Sequence, residues 1–130
     1  MITLCGLDTF NKDKSLKGDF NFLIARKVMS QGLLKTFVHL PQISPSNDLL
    51  SFALSSKRNN IPWEHTYTKR FSQEMRSPQA MAVLNQLINL SKNGHNIVLV
   101  CYCSKGNFCH RYLIADILKS LDKDLNIRLL

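Results

Sequence analysis

The sequence contains no uninterrupted apolar run approaching the ~20 residues that cross a bilayer, so a helical membrane span is not expected. Its first residues, Met1 to Asp8, carry neither a basic stretch nor a long apolar one, and no secretory signal is expected there. Cysteine is sparse, and three of the four residues (Cys101, Cys103, Cys109) crowd into nine positions, with Cys5 far away. Without a secretory context that distribution argues for reduced thiols, not a disulfide framework. No internal repeat, low-complexity tract or interdomain linker interrupts the chain. A cytoplasmic protein forming one domain over residues 1–130 is expected.

Acidic residues are also few: nine Asp and Glu stand against seventeen Lys and Arg, a formal charge of +8. The imbalance is local. Between residues 50 and 111 eight basic residues meet only Glu64 and Glu74. A field of that sign selects anionic partners such as nucleotides, nucleic acid or acidic protein surfaces, unless it is simply a solvated basic face.

Hydrophobic residues, at 45%, suffice for a packed core, and their spacing divides the chain into elements. Residues 2–5 form an apolar run stopped by Gly6, a first strand, followed by a polar loop to Gly18. Phe20, Phe22 and Ile24 alternate with polar residues, which predicts a second strand ending near Arg26. Residues 36–40 suggest a third strand, closed by Pro41. Ser46 and Asn47 are cap types ahead of a helix carrying Leu49, Leu50, Ala53 and Leu54, expected to dissolve in the polar stretch 55–60. Trp63, Tyr67 and Phe71 recur every four residues, and a helix or an overlying loop both fit 61–76. Ser77 and Pro78 open a helix that Asn93-Gly94 ends. Residues 96–102 are almost wholly apolar, the pattern of a strand buried on both faces. A helix bearing Leu113, Ile114, Ile117, Leu118 and Leu121 follows, and residues 126–130 suggest a last strand. Strands alternating with helices predict an α/β fold: a single three-layer sandwich with a mainly parallel sheet and helices on both faces.

The segment from Cys101 to Arg111 joins the buried strand to a helix, the place where open α/β sheets bind ligands. A helix N-terminus offers unpaired N–H groups to an anion. Lys105, His110 and Arg111 add charge there, Gly106 permits close backbone approach, and Asn107 completes the turn. The opposing reading is a plain loop with a buried Cys109 and an exposed Arg111. For the cysteines three chemistries compete. Zinc ligation by Cys101, Cys103, Cys109 and His110 suffers from the adjacency of the last two, against the usual spacer of two to four residues. A nucleophilic Cys109 is favoured by the helix start and by His110 and Arg111, although neither a Cys-x5-Arg nor a Cys-x-x-Cys pattern is present. The third reading makes the thiols small packing groups.

These residues also resemble a known family. A Cys at a strand end and a Cys-His-Arg opening the next helix, seven residues apart as between Cys101 and Cys109, resemble the family called domain of unknown function 488. Tyr102, Gly106 and Phe108 resemble small bacterial and phage members, and Ile24-Ala25-Arg26 matches a strand ending in Arg more weakly. Many members have an acidic residue where Cys103 stands, which removes an acid/base role at that position. The resemblance implies a compact three-layer α/β domain with the Cys-His-Arg at a pocket, and supplies no reaction.

The expectation drawn from these residues is a pocket for a phosphate-bearing small molecule, a nucleotide or nucleotide-derived signal that the protein sequesters. Lys105, Arg111 and the backbone after Gly106 and Asn107 hold the phosphate, with Arg26 as a second clamp. Tyr102, Phe108 and Trp63 or Tyr67 stack on the base. The alternative is a nucleoside- or nucleotide-processing hydrolase or transferase with Cys109 or His110 as the acting group. A third is nucleic-acid binding through the basic middle segment. No cofactor or metal and no membrane partner is expected, and a homo-oligomer stays open.

Overall fold

A computed structural model describes residues 1–104 and 106–130 of the chain. Five strands form one sheet in the order β3-β2-β4-β1-β5, and every neighbouring pair is parallel. They are β1 (Ile2–Gly6), β2 (Phe20–Leu23), β3 (Val38–His39), β4 (Ile97–Cys101) and β5 (Ile127–Leu129). Every residue of β1 and of β4 is buried, as the unbroken apolar run at 97–101 requires of strands covered on both faces. Their register pairs Ile2 with Ile97 and Gly6 with Cys101, so both central strands end side by side.

The pleat divides the core in two. Ile2, Leu4, Ile97, Leu99 and Cys101 point to one face, where they pack with the helices α2 (Asn47–Arg58), α3 (Glu64–Glu74), α4 (Pro78–Lys92) and α5 (His110–Leu121). Cys5, Val98 and Val100 point to the other, under the short helix α1 (Leu7–Lys12) and Leu16, Leu33 and Phe37. Helices therefore lie on both faces of a parallel sheet, and the α/β expectation is met. Among the described residues no helix is long and apolar enough to cross a membrane.

Local sequence explains most element ends. The Ser46 hydroxyl accepts from the Leu49 N–H at 3.2 Å and the Ser77 hydroxyl from Ala80 at 3.2 Å, capping α2 and α4. Glu74, at the end of α3, takes the Ser46 N–H at 2.8 Å and its hydroxyl at 2.5 Å, fastening α3 to the start of α2. Five expectations need correction. The loop after β1 begins with α1, because Leu7 and Phe10, one turn apart, both pack on the second core cluster. β2 ends at Leu23, short of Arg26, and β3 is two residues long. α2 runs on to Arg58: buried Leu49, Ala53 and Ser56 continue one face, and the polar stretch is the solvated side of the same helix. In α5 the buried stripe is His110, Arg111, Ile114, Ala115 and Leu118, while Leu121 is exposed. Within the open segment 61–76, residues Glu64–Glu74 are helical, and Trp63, Tyr67, Phe71 and Met75, from cap to cap, are its buried face.

Gly6 sets the spacing between β1 and the segment after β4. A Cβ at this position would overlap the Cys103 carbonyl oxygen and crowd the Asp8 carboxylate at 2.9 Å. Gly6→Ala is expected to cost about 1–3 kcal/mol in urea unfolding, as overpacking does. A loss under ~0.5 kcal/mol, the range of ordinary surface changes, would contradict this packing.

Candidate functional site

At the carboxyl end of the sheet a cavity of about 380 Å³ opens between the segment after β2, helices α2 and α3, and the segment between β4 and α5. Its apolar wall comes from Ala25, Pro45, Leu50, Ala53, Leu54, Trp63, Tyr67 and Phe108. Three cationic residues, Arg26, Lys27 and Lys57, also line it, and no Asp or Glu does among the described residues. Cys103, Cys109 and His110 border it on the sheet side.

Three aromatic residues stand against one another. The Trp63 and Phe108 rings are 5.0 Å apart, Trp63 and Tyr67 5.5 Å, and Tyr67 and Phe108 5.6 Å, all edge to face. The Lys57 ammonium sits 5.0 Å from the centre of the Trp63 ring. Burial pushes the Tyr67 hydroxyl well above the usual phenol range, so it stays protonated. Arg26 donates through Nε to Pro45 O at 2.8 Å and through Nη2 to Ser44 O at 3.1 Å, which fixes its guanidinium at the cavity while leaving other N–H groups unassigned to protein acceptors among the described residues. Tyr102 donates to Lys27 O at 2.8 Å and accepts from Met29 N at 2.9 Å, tying the two loops that border the opening.

Below the cavity lies a cluster of sulfur. The thiol sulfurs of Cys101, Cys103 and Cys109 all lie within 4.8 Å of one another, and Cys101 and Cys109 are 3.3 Å apart. The fold makes this meeting: Cys101 ends β4, Cys109 caps α5, and the loop between them brings Cys103 back. Arg111, the second residue of α5, is fully buried beside them. All of its N–H groups meet protein acceptors: Leu130 O at 3.2 Å, the Cys101 sulfur at 3.2 Å, Cys103 O at 3.2 Å, Ser104 O at 3.5 Å and the Tyr112 hydroxyl at 2.9 Å. None of these acceptors is a side-chain carboxylate. Of the two side chains that accept from Arg111, the Cys101 thiol ionises more readily than the Tyr112 phenol.

Charge therefore concentrates on one sulfur. Donation by the Cys103 and Cys109 thiols, with the Arg111 charge added, holds Cys101 well below the ordinary thiol range against burial. Cys109 is pushed far up because it serves as a donor to Cys101, and Cys103 is raised for the same reason. Burial works most strongly against the Arg111 charge, but Cys101, Cys109 and Tyr112 together outweigh it and keep the guanidinium above its ordinary value. Burial lowers His110 and keeps the ring neutral. With Nε2 at 2.5 Å from Ile24 O, the proton belongs on Nε2, and Nδ1 faces the Cys109 sulfur at 3.5 Å. Cys5 stands on the other face of the sheet, raised to about 11 by burial and by the neighbouring Cys101 charge.

The residues singled out in the sequence thus divide into groups. Arg26, Trp63, Tyr67, Tyr102, Phe108, Cys109 and His110 line one cavity. Arg111 lies behind it, its donors spent on the protein, so the exposed or phosphate-clamping arginine of the sequence reading becomes a buried partner of sulfur. Gly106 and Asn107 are exposed and outside the lining; Gly106 has open space around it, and its positive φ of 89° is what calls for glycine. Lys105 lies outside the described residues. Sequence reasoning overlooked Lys27 and Lys57. Lys57 was legible in principle, since Leu50, Ala53, Leu54 and Lys57 fall at i, i+3, i+4 and i+7 on one helix face.

A protein-family model described as DUF488-N3a, the active DUF488-N3 subclade, matches residues 12–122. No curated protein and no solved structure matches the chain.

Arg111→Met is expected to cost about 3–5 kcal/mol in urea unfolding, because it leaves charge on sulfur without its cation. Combining it with Cys101→Val, which removes both partners, is expected to cost clearly less than the two single losses added together. Strict additivity would contradict the pairing.

Proposed function

The chain belongs to the domain of unknown function 488 family, in its N3a subclade, and from that premise we propose that it binds a planar, anionic small molecule of the nucleotide class in this cavity. The observation that carries the reading is the composition of the wall: four aromatic rings and three cations face one concavity that no carboxylate lines among the described residues. A base slots against Trp63 and Phe108, where burial of flat apolar surface supplies affinity without a matching hydrogen-bond set. Phosphate oxygens meet Arg26, Lys27 and Lys57 at the opening. This relocates the anion contacts of the sequence reading from the turn at 104–107 to the helix α2 and the loop after β2. The reactive end of such a ligand points to Cys103, Cys109 and His110, an arrangement that accords with the word active in the family description. Sequestration and turnover share this pocket, and product analysis after incubation separates them.

Titration calorimetry of the full chain with nucleoside monophosphates, diphosphates and their cyclic and linked forms tests the reading. At least one is expected to bind with one site per chain. Lys57→Met is expected to weaken it by roughly fivefold to tenfold, the worth of one charge-assisted contact, with unfolding stability unchanged. Absence of heat and of any thermal shift across the panel would overturn the proposal, as would equal affinity for the corresponding uncharged nucleosides.

A further inference from the structure

From the sulfur cluster we infer that Cys101, Cys103 and Cys109 form a three-thiolate site for a divalent, zinc-like cation whose remaining coordination position faces the cavity. The three sulfurs already lie within 4.8 Å of one another, with those of Cys101 and Cys109 3.3 Å apart. Zinc–sulfur bonds of ~2.3 Å in a tetrahedral site place sulfurs about 3.8 Å from each other, so small side-chain rotations complete the ring. Two of the ligands are fixed by rigid elements, Cys101 on the last residue of a central strand and Cys109 on the cap of α5. Spacing along the chain counted against zinc only while His110 was taken as the fourth ligand. The geometry does not need it: the cluster is three sulfurs, and the histidine Nε2 is held by the Ile24 carbonyl.

The charges select the ion. Three thiolates around a divalent cation leave one negative charge, and one buried guanidinium, Arg111, lies 3.2 Å from the Cys101 sulfur to balance it. A monovalent ion bound by the same three thiolates would leave two negative charges against a single arginine. Hard cations such as magnesium or calcium want oxygen ligands, and the cluster offers sulfur. Cys103 and Cys109 line the cavity, so the fourth position opens to water or to a donor atom of a bound molecule. Closed structural zinc sites fill all four positions with protein; an open one is the catalytic arrangement.

Titration of the metal-free full chain with Co²⁺ under reducing conditions, followed by Zn²⁺ competition, tests this directly. One equivalent is expected to give an intense near-ultraviolet sulfur-to-cobalt charge-transfer band, bleached by Zn²⁺. Cys103→Ser, at the half-buried ligand, is expected to weaken Co²⁺ binding by about tenfold or more and to reduce the band while circular dichroism stays native. Cys5→Ser is expected to leave both unchanged. A wild-type chain without the band, a Cys103→Ser variant with undiminished band and affinity, or a native-like Cys5→Ser variant that loses them would overturn the inference. No nucleotide enters the titration, so its failure leaves the ligand reading standing, and a protein that binds metal but no nucleotide overturns only the latter.

Discussion

A guanidinium taken out of water must be matched by negative charge or it destabilises the fold that holds it, and at Arg111 the match comes from sulfur. The residue is fully buried, its five N–H groups are directed at protein acceptors, and no side-chain carboxylate is among them. Among the described residues the one ion pair is Lys92–Asp122, remote from this point in the chain. The Cys103 and Cys109 thiols, as donors, and the Arg111 charge all favour the thiolate at Cys101.

The layered fold puts the pair where it can act. β1 and β4 end together, Gly6 beside Cys101, and the backbone at Cys103 passes so close to Gly6 that a side chain there has no room. α5 starts within reach of the same strand ends and carries Cys109, His110 and Arg111 on successive residues. α2 and α3, joined through Glu74 and Ser46, hold the aromatic wall above. Sulfur below, rings at the side and cations at the opening give the cavity a polarity from the protein interior to solvent.

The strands and the long helices could be read from residue pattern because burial on both faces writes an unbroken apolar run, as at 97–101, and caps such as Ser77-Pro78 mark helix starts. α1 was hidden because six residues with two apolar positions carry too little periodicity, and the end of α2 was hidden because a solvated helix face looks like a loop. At the site, the segment 101–111 singled out in the sequence contributes Tyr102, Cys103, Phe108, Cys109 and His110 to the cavity lining. The direction of its side chains was not legible: sequence shows that Arg111 is charged, whereas only the packing of α5 on the sheet turns it inward. Three cysteines at one- and five-residue gaps look unlike a ligand set until a strand end and a helix cap bring them together.

The ionisation of the cluster is the point on which the rest turns. Thiolate absorbance of the metal-free native protein, recorded from about pH 4 to pH 10 against the unfolded chain, measures it, since an ordinary thiol ionises only near ~8.5. One thiolate per chain is predicted to persist at the acid end in the native protein, to vanish on unfolding there, and to be missing in Cys101→Ser. A native protein whose thiolate signal rises only near the ordinary value would show that Arg111 is not paired with sulfur, and the account would fail.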